Sequence, residues 1–351
     1  MVIVRGFDRA NIHLAVERHD DADDKDAALL ERVAGAAGPG IVYAATRRRT
    51  EELAGALAER GVRAVAYHAG RRAAERHEAQ SAFMDGRVRV VVATTAFGMG
   101  IDKPDVRFVY HADAPDSLDA YHQELGRAGR DGRAAEAVLF FRPEDLGLRR
   151  FFASGGQLGV EQLERVATLV HAAGQPVDVA ELRDVARLSA TKLDAALNQL
   201  QQVQALAVLR DGRVAPRRGG PDAAEAARLA AEQEETRRRV DRSRVEMLRG
   251  YGDSHGCRRE YLLTYFGEPY QGPCGNCDNC DAGRASAQPP QAARVPFPVD
   301  GLVRHEAWGE GRVLRYQDGG DKVVVLFDQA GYKTLSVATV LERGLLESVR
   351  E

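Results

Sequence analysis

Between Gly6 and about Arg142, short apolar runs alternate with amphipathic stretches, and this alternation constrains the fold more than any other feature of the chain. The runs are Gly40 to Ala44, Arg63 to Tyr67, Arg87 to Ala93 and Phe108 to His111, with a helical pattern around Thr50 to Arg60 between the first two. Such short β-branched runs, separated by helices, are the pattern of a parallel sheet with right-handed crossovers. Residues 1–145 are therefore expected to form one α/β domain. With 351 residues, and roughly 100 to 200 per domain, further domains must follow.

After Pro143 the strand signal stops. A connector is expected over residues 146–159, then three helices and a short hairpin over 160–220. A helical region with a long stretch from Asp222 to Tyr251 is expected over 221–284, a linker over 285–298 and a small β unit over 299–351. The linker follows from the run AGRASAQPPQ, whose Pro and small polar residues resist packing. Hydrophobic content of 44% and charged content of 29% fit a soluble globular protein, and no apolar run approaches the roughly 20 residues of a membrane span. Met1 to Phe7 lack an apolar signal core, so a cytoplasmic, nucleoid-associated location is expected and no membrane partner. The net charge of −3 carries no global signal for nucleic acid, so any contact with it must come from local basic patches.

Tyr121 to Gly132 read YHQELGRAGRDG. Arg127 and Arg130 stand three residues apart, so on a helix or helical turn they share a face. Gly126 and Gly129 keep that face low enough for a ligand to approach. Two guanidiniums can thus meet one anion; a bare R-x-x-R by itself also reads as a solvated charged turn or a partner for internal carboxylates.

The wider string resembles motif VI of superfamily two helicases in its RecQ-like form. Ala93 to Val109, ATTAFGMGIDKPDVRFV, resembles RecQ motif V, and Tyr67 to Gly70 (YHAG) and Ile41 to Arg47 (IVYAATR) are similar to the motifs that precede it, in the same order. The resemblance implies the second of two RecA-like lobes, with ATP bound between them. It implies that Arg130, helped by Arg127, reaches the γ-phosphate as an arginine finger, with Gln123, Gly100 and Asp102 positioning the nucleotide. It further implies that Thr46, Arg47, His68, Gly70 and Thr94 lie along the backbone of single-stranded DNA, where amides, hydroxyls and a cation suit phosphate oxygens without reading sequence. Taken singly, Thr46 and Thr94 also read as helix caps and His68 as a satisfied surface histidine.

All four cysteines lie between Cys257 and Cys280. Cys274, Cys277 and Cys280 form C-G-N-C-D-N-C, a spacing that turns thiolates toward one centre, and Cys257 can complete a tetrahedron. Structural Zn2+ is the expected metal; an iron–sulfur cluster and free buried thiols are the other readings of four cysteines. Arg242 to Glu268, RSRVEMLRGYGDSHGCRREYLLTYFGE, resembles the RecQ zinc-binding domain. Val240, Met247 and Tyr251 recur on one helical face as an apolar stripe. Arg237, Arg238, Arg239, Arg242, Arg244, Arg258 and Arg259 make the most basic stretch of the chain. From them a DNA-backbone contact is expected, Arg242 and Arg258 foremost; the other reading is a solvated face balanced by Glu232, Glu234 and Glu235.

In the family pattern the zinc domain follows the motor lobe closely, whereas here residues 160–220 intervene. Helices followed by Leu206 to Ala215, with Asp211-Gly212 as the turn, suggest an inserted winged helix. Ser189 is placed to cap its third helix, whose polar face offers Lys192, Asn198 and Gln202, with Arg217 and Arg218 beyond the wing. Winged helices in this superfamily bind duplex ends or junctions, and a protein contact or spacer is the other reading here. The segment from Val299 to Val349 suggests a small SH3-like or Tudor-like barrel and resembles the C-terminal module of UvrD-type helicases, which implies RNA polymerase or another protein as a partner. Trp308 and Phe327 are expected in its core.

The fold class is thus a multidomain chain: an α/β RecA-like parallel-sheet lobe, a helical zinc-binding domain with an inserted winged helix, and a small C-terminal β-barrel. A phosphate-binding loop requires Gly-Lys, yet Lys25, Lys103, Lys192, Lys322 and Lys333 each follow another residue. ATP and Mg2+ therefore need a phosphate-binding lobe outside this sequence, and the chain alone is expected not to turn over ATP. The resemblance implies the C-terminal part of an ATP-dependent 3′–5′ DNA helicase of repair and recombination. The alternative, from another class, is a motor-less DNA-binding or adaptor protein that keeps the zinc, winged-helix and barrel modules.

Overall fold

The computed structural model describes residues 6–98, 102–147, 158–268, 270–285, 296–299, 301–317 and 320–349. Much of the expected connector and linker, together with Gly100, lies outside the described residues. The chain divides into two compact units, one of residues 1–150 with 243–351 and one of residues 151–242.

In the first unit the expected alternation is realised as β1 (Ile12–Arg18), α1 (Ala22–Gly35), β2 (Gly40–Tyr43), α2 (Arg47–Glu59), β3 (Ala64–Tyr67), α3 (Ala73–Met84), β4 (Val90–Ala93), β5 (Phe108–His111), α4 (Leu118–Leu125) and β6 (Ala135–Phe141). The six strands form one parallel sheet in the order β1-β6-β5-β2-β4-β3. β2, β4 and β5 are buried along their whole length, which is why they read as continuous apolar runs. Successive side chains point to opposite faces. Val42, Val90, Val92 and Tyr110 pack with Leu29, Val33 and Leu57 of α1 and α2, whereas Ile41, Tyr43, Val91 and Val109 face the core that holds Phe83, Phe97 and α4. Because all strands run in one direction, their carboxyl ends share one edge, where sites of open α/β sheets form. Phe83 of α3 is fully buried with Phe97 edge-on at 6.0 Å. Phe83→Ala is expected to cost about 3 to 5 kcal/mol, read from denaturant unfolding.

The second unit holds α5 (Val160–Ala172), α6 (Val179–Ala186), α7 (Ala190–Gln202), the strands β7 (Leu206–Val208) and β8 (Val214–Pro216), and the start of α8 (Ala223–Asp253). Ser189 caps α7 by accepting from the Lys192 amide at 3.3 Å, and Gly212 takes φ +84° in the hairpin turn, both as expected. Leu163, Val166, Leu193, Leu200 and Val214 centre its core, to which Ala226, Ala227 and Ala230 of α8 belong. The boundary between the two compact units falls inside α8.

From residue 243 the chain belongs again to the first unit, with α9 (Arg258–Tyr265) and the single turn α10 (Asp278–Asp281). Val245, Leu248 and Tyr251 join Met247 in burial, whereas Val240 is only half-buried. The strands β9 (Leu302–His305), β10 (Gly309–Gln317), β11 (Lys322–Phe327), β12 (Gly331–Ser336) and, after α11 (Val337–Arg343), β13 (Glu347–Ser348) form one antiparallel sheet in the order β12-β11-β10-β9-β13. Phe327 is buried in its core and Trp308 packs against it at 5.5 Å, stacked on His305 at 3.9 Å. No helix among the described residues is long and apolar enough to cross a membrane.

Candidate functional site

The arginine pair stands where α4 ends. Ser117 caps the helix, its hydroxyl accepting from the Ala120 amide at 3.1 Å. The buried His111 at the end of β5 lies 2.8 Å from the buried Glu124 carboxylate, fastening the helix to the sheet. Past Gly126 the chain turns, and Arg127 points inward while Arg130 points out. The Arg127 guanidinium is buried beneath the loop that follows β4: a Cβ on Gly98 would come within 2.9 Å of its Nη2. Arg130 is about a third exposed, at 35%, and its Nη1 donates to Asp102 Oδ1 at 2.7 Å, whose side chain is 82% exposed. Nearby, the Tyr43 hydroxyl donates to the Phe97 carbonyl at 2.9 Å. Burial raises the Tyr43 pKa above its ordinary value, and Arg127 and Arg130 work against that rise. Gln123 is exposed on α4, about one turn before Arg127. The structure thus pairs Arg130 with Asp102 on the turn that also carries the buried Arg127, while Gly100 lies outside the described residues.

The second group occupies the carboxyl ends of three neighbouring strands. Thr46 and Arg47 follow β2, His68 and Gly70 follow β3, and Thr94 follows β4. A Cβ on Gly70 would lie 3.0 Å from Arg47 Nη1 and 3.2 Å from His68 Nδ1, so a larger residue would crowd both. His68 is buried, its Nε2 3.1 Å from Glu51 Oε1, and its Nδ1 finds no hydrogen-bond partner among the described residues. Thr46 caps α2 by accepting from the Arg49 amide at 3.1 Å, and Thr94 accepts from the Ala96 amide at 3.4 Å. Asp113 was not foreseen: it accepts from the Ala45 amide at 2.8 Å and pins the turn that carries Thr46 and Arg47. Lys25, buried beside Asp113 and Asp145, balances that carboxylate. A single Asp after an apolar run carries no spacing signal that would mark it.

The four cysteines converge. Their Sγ atoms all lie within 4.8 Å of one another, and Cys274 and Cys280 are 3.8 Å apart, about the edge of a tetrahedron with Zn–S near 2.3 Å. Gly275, at φ +63°, makes the turn between Cys274 and Cys277. The hydrogen bond between Cys257 and Cys277 lowers the Cys277 pKa below its ordinary value and raises that of Cys257, so the two thiols share one proton-binding centre. The cysteine loop is laid along the free edge of β1. Leu14 pairs with Cys277 and donates to the Asn276 carbonyl at 3.4 Å, and Asn276 Nδ2 donates to the Ala10 carbonyl at 2.9 Å. Four thiolates close the shell, which fits a structural Zn2+.

Two expectations about the basic stretch are corrected. Arg258 is 4% exposed, its guanidinium donating to both oxygens of Asp278 at 3.0 and 3.1 Å and to the Tyr251 carbonyl. Arg259 is equally buried, held by Asp8 and by the Ile12 carbonyl at 2.8 Å. Neither side chain is presented to a DNA backbone; burying a guanidinium requires pairing it, and here the pairs build the zinc region. Along α8 the solvated, balanced face is what forms. Arg237 and Arg238 pair with Glu234, and Arg239 and Arg242 with Glu235. Arg242 remains exposed.

Arg9 and Asn11, just ahead of β1, were also missed. Their side chains hold the carbonyls of the arginine turn, and nothing in the local pattern marks an isolated Arg and Asn as partners of a loop far along the chain.

Comparison with known proteins agrees with this arrangement. The family described as helicase conserved C-terminal domain matches residues 24–132, and the family described as RecQ zinc-binding matches residues 221–281. The chain is 32% identical over 281 residues to the ATP-dependent DNA helicase RecQ of Pasteurella multocida, a match that covers 80% of this chain and 32% of that protein. It is 29% identical over 342 residues to RecQ of Bacillus subtilis, covering 97% of this chain and 44% of the relative. With the probable ATP-dependent DNA helicase RecS of Bacillus subtilis it shares 30% over 281 residues, covering 79% and 53%. The chain thus spans about a third to a half of the length of these relatives. With the arginine turn in its parallel-sheet lobe and four convergent cysteines beyond it, the chain belongs to the RecQ family of superfamily two helicases, of which it carries the C-terminal portion.

Proposed function

We propose that this chain supplies the arginine-bearing half of an ATP-driven DNA helicase, moving 3′ to 5′ in repair and recombination, and that a separate lobe supplies the phosphate cradle and the Mg2+ ligands. The observation that carries this reading is the arginine turn: it presents two guanidiniums three residues apart, Arg127 buried against Gly98 and Arg130 at the surface paired with Asp102 at 2.7 Å. In this reading Arg130 meets the charge that develops on the transferred phosphoryl group. Arg127, fixed in the protein, supports it from below, and Gln123, Gly100 and Asp102 position the nucleotide. Thr46, Arg47, His68, Gly70 and Thr94 take the DNA backbone along the carboxyl edge of β2, β4 and β3, a row suited to consecutive phosphates of a single strand. Arg242, exposed on α8, adds a peripheral phosphate contact.

Zn2+ held by Cys257, Cys274, Cys277 and Cys280 serves only to hold the loop against β1. The three helices and hairpin of the second unit act as a winged helix toward duplex or junction DNA. Support comes from the Ser189 cap, the Asp211-Gly212 wing, the Val177 to Val214 bridge and the exposed Lys192, Asn198, Gln202, Arg217 and Arg218. The five-stranded sheet acts as an SH3-like or Tudor-like barrel toward RNA polymerase or another protein.

The test uses the chain as it is. The logarithm of its affinity for a single-stranded oligonucleotide, followed by fluorescence anisotropy, is expected to fall linearly with log salt because bound phosphates release counterions. Arg47→Ala should reduce the slope by about one. Salt-insensitive binding, or a slope unchanged by Arg47→Ala, would overturn the assigned DNA surface.

A further inference from the structure

A helix end leaves carbonyl oxygens without intrahelical partners, and a cation placed there both donates hydrogen bonds to them and offsets the helix dipole. At the end of α4 that cation comes from far away in the sequence. Arg9 Nη1 donates to the Gly126 carbonyl at 2.7 Å, and Nη2 donates to those of Ala128 at 2.8 Å and Gly129 at 3.2 Å. Asn11 Nδ2 completes the set, donating to the Gly129 and Arg133 carbonyls at 2.8 Å each. Gly129 takes φ +54°, and a Cβ there would come within 2.4 Å of Asn11 Nδ2 and 2.8 Å of the Arg133 carbonyl, so the turn closes on these donors with no spare room. Arg127 and Arg130 are the two side chains that this clamped turn presents. Burial, and after it the nearby charge of Arg130, lower the Arg9 pKa from its ordinary value.

The clamp is itself held. Asp8 pairs with the buried Arg259, Phe7 stacks on Phe266 with centroids 4.9 Å apart, and His122 donates to the Phe7 carbonyl at 2.9 Å. The segment 7–11 is therefore anchored to the zinc region on one side and grips the arginine turn with the other.

We propose that Arg9 is a positioning residue for the arginine turn: through three carbonyls, with Asn11 as a second grip, it sets where Arg127 and Arg130 stand toward the nucleotide. This rests on the nucleotide role proposed above for that pair. Only a guanidinium offers two parallel donors in a rigid fork that spans neighbouring carbonyls, so lysine does not replace it. Misplacing a group by an ångström can cost on the order of a hundredfold in rate.

The experiment is steady-state ATP turnover in the protein that also carries the phosphate-binding lobe, comparing Arg9→Ala, Asn11→Ala and Arg130→Ala. Arg9→Ala is expected to lower kcat on the order of ten- to a hundredfold with KM for ATP changed by less than about twofold, the mark of an interaction that matters in the transition state. Millimolar guanidinium ion should restore part of the rate by refilling the vacated place, and Asn11→Ala should lower kcat in the same direction by less. Unchanged kcat in both Arg9→Ala and Asn11→Ala beside an inactive Arg130→Ala overturns the positioning role alone. A loss that guanidinium does not reverse and that follows a lowered melting temperature overturns it as well, leaving Arg9 a stabilising cap. Normal turnover in Arg130→Ala removes the nucleotide role of the turn and this inference with it. If Arg9→Ala does not fold, Asn11→Ala decides: a lower kcat at unchanged KM supports the grip, and an unchanged kcat overturns it.

Discussion

Replacing Arg130 by Ala, in the protein that also carries the phosphate-binding lobe, is expected to slow ATP turnover by about 10³ to 10⁵ while ATP and DNA still bind. The size follows from where the charge sits. Arg130 pairs at the surface with Asp102, whose side chain is 82% exposed, so removing the guanidinium leaves that carboxylate in water, and the lesion should fall chiefly on rate. Arg130→Lys should recover little, because an ammonium lacks the planar fork that meets two phosphoryl oxygens. Arg127→Ala is a different experiment: that guanidinium is buried at 7% exposure, and its loss should lower stability along with rate. DNA-stimulated phosphate release, with nucleotide binding measured separately, distinguishes these outcomes, and normal turnover by Arg130→Ala would remove the role assigned to the turn.

The second large effect is at the metal. Cys277→Ser is expected to reduce bound zinc from one ion per chain to well below that, and to unfold the segment from Cys257 to Cys280. Structural zinc contributes roughly 10 to 16 kcal/mol in small peptides. Cys277 is the most telling of the four, since it is fully buried and its backbone bridges to Leu14 on β1, so unfolding of its loop also frees the edge of the sheet. The buried pairs Arg258–Asp278 and Arg259–Asp8 should loosen with it and become costly, each leaving a charge in an apolar setting. Elemental analysis and limited proteolysis read the two halves of this expectation. Iron in the purified protein would replace zinc as the metal, and a proteolysis pattern unchanged on chelation would remove its structural role.

How much of this was legible in the sequence differs by element. The parallel lobe was readable because β2, β4 and β5 are buried on both faces, and burial on both faces leaves an unbroken apolar run that no amphipathic helix imitates. The hairpin at Asp211-Gly212 and the Ser189 cap were readable for a similar reason: a positive φ and an unpaired amide each require particular residue types at one position. The cysteines were readable because metal ligands must be close in space and their spacing kept them close in sequence.

The arginines show the opposite case. Arg258 and Arg259 lie in the most basic stretch of the chain and looked like DNA contacts, yet both are sealed inside the first unit by Asp278 and Asp8. Arg9, an isolated residue with no periodic partner, turns out to hold the turn that carries Arg127 and Arg130. A charge declares its presence in a sequence but not its partner, because the carboxylate or carbonyl that claims it can come from any distance along the chain. What the residues alone settled here was therefore local: strands, turns, caps and the set of metal ligands, each specified by neighbours within a few positions. Which arginines face solvent, which are buried and which one steadies the site depended on folding, since only packing decides whether a guanidinium is left to water or claimed by a distant oxygen.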